Sequence, residues 1–178
     1  MKQLKDYYAY LAISGGMVLN LAVQGNWAFR MLAFALVAAG ALSLQHVSTW
    51  FQRASIAADV KMVFTLVLGP AVIPQGLLRT VLECADIVVL LLTGCMLLMA
   101  VKDQMHRAEN SVLPEWAMLV LWSAGSIITL LILPGWLNFE AQNIAVSAAN
   151  MLTSLSYVLL IVEMFRAQRV YLQTEEQE

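Results

Sequence analysis

Charge is what this chain has least of. Of its 178 residues only 12% are charged, while 61% are hydrophobic and the mean hydropathy is +0.74. A soluble domain carries about 25% charged and about 45–50% apolar residues. The polar surface of a water-soluble fold is therefore largely missing, and lipid is expected to take its place. Cysteine is nearly absent. Cys84 and Cys95 fall in one apolar stretch, eleven positions apart. On a helix that spacing separates them by about 16 Å along the axis, beyond the roughly 7 Å Cα limit of a disulfide. With no CxxC and no Cys/His cluster, neither thiol–disulfide chemistry nor a zinc centre is expected, and both cysteines read as small hydrophobes.

Catalytic motifs are lacking too. There is no HExxH, GxSxG, P-loop or GxGxxG, each of which places reactive groups or phosphate-binding backbone at a fixed spacing. His46 and His106 have no acidic or cysteine neighbour at ligand spacing. No enzyme, cofactor or metal site is expected. Basic runs are missing as well: the net charge is −2 and the ten Lys and Arg are scattered, so a nucleic-acid partner is not expected. Nor is there a polar stretch long enough for a separate soluble module, and residues 1–178 read as a single transmembrane domain.

What the chain does have is long apolar stretches. About 20 apolar residues carry a helix across about 30 Å of hydrocarbon, and about 17 suffice. Six stretches approach that length, at about 7–24, 28–46, 57–74, 77–101, 116–134 and 142–164. The fold class expected is an all-α, polytopic bundle of six spans, arranged as three outward-pointing helical hairpins. The first stretch follows Lys2 and Lys5 and reads as a retained span rather than a cleaved leader. The third is weakest. Its apolar core, Met62 to Ile73, includes Pro70, which removes a backbone donor and favours a kink. It spans only if the helix starts near Ser55 with Asp59 and Lys61 at the interface, and a re-entrant segment is the rival.

Lys and Arg concentrate on cytoplasmic loops. With both ends inside, Lys2, Lys5, Arg53, Lys61, Lys102, Arg107, Arg166 and Arg169 are cytoplasmic and only Arg30 and Arg79 lie outside. Aromatic residues, which favour the membrane–water interfaces, agree. Tyr7, Tyr8, Trp50, Phe51, Trp116 and Tyr171 mark the inner boundary, Trp27 and Trp136 the outer one, and Trp122 alone lies well inside a span. The outer turns at Gln24–Trp27, Pro74–Gly76 and Pro134–Asn138 are short and carry Gly with Asn, Gln or Pro, as tight turns require. A lipid bilayer, as the bacterial inner membrane, is the expected location.

Ionisable groups inside spans mark functional candidates. Arg79, Glu83 and Asp86, at i, i+4 and i+7, share a face of the fourth span, continued by Thr93. They read either as a polar site near the outer leaflet or as an Arg79–Glu83 ion pair with Asp86 capping a neighbouring helix. A second group, Asn138, Glu140, Gln142 and Asn143 with the deeper Asn150, stands at the outer end of the sixth span. With Asn20 and Gln24 it suggests a vestibule open to the outside, although intramembrane amides such as Asn20 and Asn150 also bond helix to helix. Small residues make the second span slim, from Ala33 to Ser43, and recur at Ser123–Ser126 and Ala145–Ala149. They read as packing faces within the chain or as a homo-oligomer interface. Glu163 and Arg166 can pair at i, i+3, and the acidic tail over 167–178 is either solvated or a docking site for a cytoplasmic protein partner.

Six spans in 178 residues are similar in size and topology to the substrate-binding subunits of energy-coupling-factor vitamin transporters. No residue motif accompanies that likeness, and no residue role is carried over. Beside an intramembrane enzyme, for which the i, i+3 carboxyls of Glu83 and Asp86 leave little room for a substrate, two functions remain in view. One is a helical-bundle membrane component of a multiprotein bacterial system, such as phage defence, secretion or envelope assembly, with a channel-forming oligomer as one form. The alternative is a small-solute or ion transporter, or a transporter subunit, with a polar site near the outer leaflet.

Overall fold

The structure, a computed structural model, describes residues 2–23, 26–69, 73–74, 76–107, 115–132 and 139–175. Among them it has six helices and no strand: α1 (Lys2–Ala22), α2 (Trp27–Ser43), α3 (Thr49–Leu68), α4 (Leu77–Arg107), α5 (Glu115–Ile132) and α6 (Phe139–Glu175). The expected all-helical class is present. Two helices are long and apolar enough to cross a membrane, over Leu77–His106 and Gln142–Tyr171, while Trp27–Ser43 and Leu119–Ile132 are shorter apolar helices.

Local chemistry sets the boundaries. Asn26 and Ser48 are extended residues whose side-chain oxygens accept from Ala28 N at 3.0 Å and Trp50 N at 3.3 Å. Each thereby satisfies an orphan amide at a helix start. The Ser48 cap moves the third helix forward. It begins at Thr49 rather than near Ser55 and ends at Leu68, so its 20 residues form one uninterrupted helix ahead of Pro70, which lies outside the described residues. Pro134–Asn138 and residues 108–114 also lie outside them.

Successive helices pack side by side, α1 on α2, α2 on α3 and α3 on α4, while α5 packs on α6 and α6 closes against α1 and α4. The centre is filled by Tyr10, Ile13 and Met17 of α1, Val37 and Ala41 of α2, Phe51 and Ala58 of α3, Leu97, Val101 and Met105 of α4, Trp122 of α5, and Tyr157, Leu160 and Met164 of α6. The small residues of α2 serve this packing: Ala33, Ala38, Gly40 and Ala41 are all buried. Trp122, the aromatic that fits neither interface, is buried, lies against Gly94, and meets the Tyr157 ring at a centroid distance of 4.7 Å.

The polarity of α3 is inverted relative to a surface helix of a soluble protein. Phe51, Ala54, Ser55, Ala58, Lys61 and Thr65 face inward, whereas Ile56, Val60, Val63 and Val67 face outward and are exposed. Both sets follow the three-and-four spacing of a helical face. Elsewhere Leu77 is 83% exposed, Ile144 72% and Met151 74%. Scattered exposed hydrophobes are ordinary, but a lysine inside with a β-branched stripe outside is not.

α1 and α2 approach closely at Gly40, where a Cβ would stand 2.6 Å from the Ala9 carbonyl oxygen and 2.7 Å from Ile13 Cγ1. Overpacking of that kind costs about 1–3 kcal/mol. Gly40→Val is expected to lower the thermal midpoint of the purified protein by several degrees. Gly15→Ala, which meets nothing within 4 Å, leaves it unchanged or raised. Equal midpoints for Gly40→Val and wild type would contradict the packing.

Candidate functional site

The charged cluster legible in the fourth helix is divided between two partnerships. Arg79 Nε donates to Glu83 Oε1 at 2.8 Å and Arg79 Nη1 to the Ile73 carbonyl at 3.1 Å. This is the intrahelical pair that i, i+4 spacing allows. Asp86 does not join it. Its carboxylate is ion-paired with Lys61 Nζ of α3, which also donates to the Asp86 carbonyl at 3.3 Å and lies 5.6 Å from the centre of the Phe34 ring. Lys61 is 0% exposed, whereas Asp59 is exposed. The expectation that Lys61 stands at the interface beside Asp59 is therefore corrected: positions two apart on a helix differ in direction by about 200°, and Lys61 is the one turned inward. Among the described residues Asp86 caps no neighbouring helix. It neutralises a buried ammonium instead.

Close to this pair is a cavity of about 340 Å³ bounded by α1, α2, α4, α5 and α6. Its wall is polar for a bundle interior, with Asn20, Arg30, Ser126, Thr129, Asn150, Thr153, Ser154 and Tyr157, completed by Leu21, Ile87 and Leu90. Asn20 Nδ2 donates to the Tyr157 hydroxyl oxygen at 3.1 Å, while Asn20 Oδ1 is buried and accepts nothing among the described residues. Tyr157 is 4% exposed. The Arg30 guanidinium, half-buried at the wall, has no hydrogen-bond or ion-pair partner among the described residues. Arg30 is within electrostatic reach of both Lys61 and Tyr157, and Asp86 of Tyr157. Two cations thus face one anion.

The cavity therefore offers five guanidinium N–H donors, a phenolic O–H, an unsatisfied amide oxygen and several hydroxyls. Thr129 Oγ1 donates to the Gly125 carbonyl at 2.8 Å, which leaves its lone pairs for a guest. The described residues hold no group of three or more His, Cys, Asp or Glu that fits a metal ion. The arrangement suits binding of a small polar guest.

Of the expected vestibule, Asn150 lines this cavity together with Asn20. Asn143 is exposed on α6 and is not part of the wall. Asn138 and the Glu140 side chain lie outside the described residues. Arg79 and Glu83 are absent from the wall. Arg30 and Lys61, the two residues that set the local charge, were read from sequence as loop or interface charges. A signal for Lys61 was present: it continues the inward spacing Phe51, Ala54, Ala58, Lys61, Thr65.

At the opposite end of the bundle a second set of polar contacts joins α1, the turn between α2 and α3, α4 and α6. Tyr10 donates to Gln104 Oε1, Gln104 Nε2 donates to the Ala167 carbonyl at 2.9 Å, and buried Asp6 accepts from Tyr171 at 2.9 Å and meets His46 Nε2 at 3.2 Å. Glu163 is buried and pairs with Arg166 at 2.7 Å, as its spacing allowed. Set against known proteins, the chain matches no family model, no curated protein and no solved structure.

Removing one member of a buried ion pair strands the other charge and costs about 3–5 kcal/mol, while replacing both by apolar residues is often neutral. Lys61→Met and Asp86→Leu are each expected to destabilise the protein strongly. The double variant is expected to recover most of the loss, as read in a thermal double-mutant cycle. Additive losses would show that the two side chains do not depend on each other.

Proposed function

We propose that this chain is an integral membrane protein of six spans, with both ends in the cytoplasm, that binds a small polar solute in the Arg30 cavity as a transporter or transporter subunit. The observation that carries the reading is an unpaired cation in a polar cavity, inside a bundle whose outer surface is apolar. A cavity of about 340 Å³ is at the small end of the range of small-molecule sites, about 300–1,000 Å³. The wall residues come from the C-terminal end of α1, the N-terminal end of α2, the first half of α4, the stretch of α6 up to its midpoint, and the later part of α5. In this topology that is the outer half. The buried Lys61 drops out of the charge count, and the orientation is carried by the seven remaining inner cations against Arg30 and Arg79.

A second observation favours a role within a larger assembly. At about 1.5 Å per residue, the 31 residues of α4 and 37 of α6 reach about 46 and 55 Å, well beyond about 30 Å of hydrocarbon. Asp6 bonds Tyr171 and Asn20 bonds Tyr157, so α6 runs alongside α1 over that stretch and its surplus, ahead of Tyr157, extends past α1 at the end opposite Asp6. A helix that outreaches its neighbours supplies a surface for another protein, which fits a subunit of a multiprotein bacterial system.

The test uses single cysteines in a Cys84→Ala/Cys95→Ala background and an impermeant maleimide on right-side-out inner-membrane vesicles. Asn26→Cys, Gly76→Cys and the cavity residue Thr153→Cys are expected to react at once, and Gln45→Cys and Arg169→Cys only after permeabilisation. Labelling of Gln45→Cys in sealed vesicles would overturn the topology. An inert Thr153→Cys would overturn the water-filled cavity.

A further inference from the structure

The charge around the cavity is not balanced. Lys61 and Asp86 neutralise each other through a direct ion pair, which leaves Arg30 as a cation without a counter-ion among the described residues. An uncompensated charge in a bundle interior is costly and by default marks a functional site. Beside it stand an acceptor with nothing to accept, Asn20 Oδ1, and the Tyr157 hydroxyl, whose oxygen already accepts from Asn20 and whose proton is free to be donated. A guest that satisfies all three must be an anion, must accept from a phenol, and must carry one donor of its own.

We infer that the cavity binds a small monocarboxylate bearing a neutral hydroxyl group, of the α-hydroxy acid type; this rests on the solute-binding reading above. The guanidinium fork matches a carboxylate in the bidentate manner. The hydroxyl donates to Asn20 Oδ1, and Tyr157 donates to the remaining carboxylate lone pair or to the hydroxyl oxygen. One negative charge restores neutrality. A phosphate dianion would overshoot it, and a zwitterionic amino acid would bring an ammonium beside Arg30 and Lys61 while leaving the net charge unchanged. Size agrees: about 340 Å³ corresponds to roughly eleven waters at about 30 Å³ each, enough for a short acid with some solvent and too little for a lipid.

The test is binding to the purified full-length protein in lipid nanodiscs, by titration calorimetry with lactate, glycolate, propionate, alanine, glycerol, methylammonium and inorganic phosphate. Lactate and glycolate are expected to bind, with propionate weaker for want of a donor. Arg30→Gln is expected to weaken lactate about ten- to a hundredfold, the loss of charge-assisted hydrogen bonds, and Arg30→Lys less. Asn20→Ala is expected to erase the preference for lactate over propionate. Binding in the wild-type protein needs no variant to fold, and Arg30→Lys covers a failure of Arg30→Gln. Binding of glycerol, methylammonium, alanine or phosphate in preference to lactate overturns the proposed class but keeps the cavity reading, as does lactate binding insensitive to both Arg30 variants. If no probe binds while Thr153→Cys is reactive, the class is overturned alone. If no probe binds and Thr153→Cys is inert, both readings fall together.

Discussion

An ammonium group with no access to water needs an opposite charge within a few ångströms, and Lys61 finds it in Asp86. That requirement fixes more than one contact. It sets the rotation of α3 about its axis, because turning Lys61 inward turns Ile56, Val60, Val63 and Val67 outward. It sets the height of α3 against α4, since Lys61 also reaches the Asp86 backbone carbonyl. It also removes Asp86 as a counter-ion for Arg30, which leaves the neighbouring cavity with its excess positive charge. Buried ion pairs are weak evidence for stability. Here the pair is better understood as setting register between two helices and charge beside a cavity.

The same inversion runs through the rest of the molecule. Polar side chains from α1, α2, α5 and α6 converge on the cavity, while large hydrophobes such as Met151, Val158 and Val162 of α6 are left on the outside. In water that distribution would be unfavourable at both faces. In the proposed bilayer setting it is favourable at both, because lipid covers the outer residues and the polar groups either bond to one another or await a guest. The end opposite the cavity differs. There Asp6, Tyr10, Gln104, His46 and Tyr171 hold each other in direct hydrogen bonds, so that end serves to fasten α1, α4 and α6 together.

How much of this was legible in the sequence depends on whether the interaction lies within one helix or between two. The six helical stretches could be read from apolar length and turn residues. The Arg79–Glu83 and Glu163–Arg166 pairs could be read from spacing alone. The Lys61–Asp86 pair could not, because 25 residues and a turn separate its members and spacing rules act within a helix. Asn20 and Asn150 were recognised as polar residues of the outer half, but their convergence with Arg30 and Tyr157 depends on how α1, α2 and α6 pack. Trp122 was out of place as an interface aromatic, and its reason is Gly94, whose missing side chain makes room for the indole.

The central claim is the orientation of α3, with Lys61 inward and its valines outward, against lipid in the proposed bilayer setting. Site-directed spin labels at Val60, Val63 and Val67 and at Ser55 and Ala58, studied by power-saturation electron paramagnetic resonance in reconstituted bilayers, test it most directly. The account predicts that the three valine positions collide freely with oxygen dissolved in the lipid and hardly at all with a water-soluble nickel chelate. Ser55 and Ala58 should be shielded from both. Oxygen accessibility peaking at Ser55 and Ala58, or nickel accessibility at Val63, would contradict it.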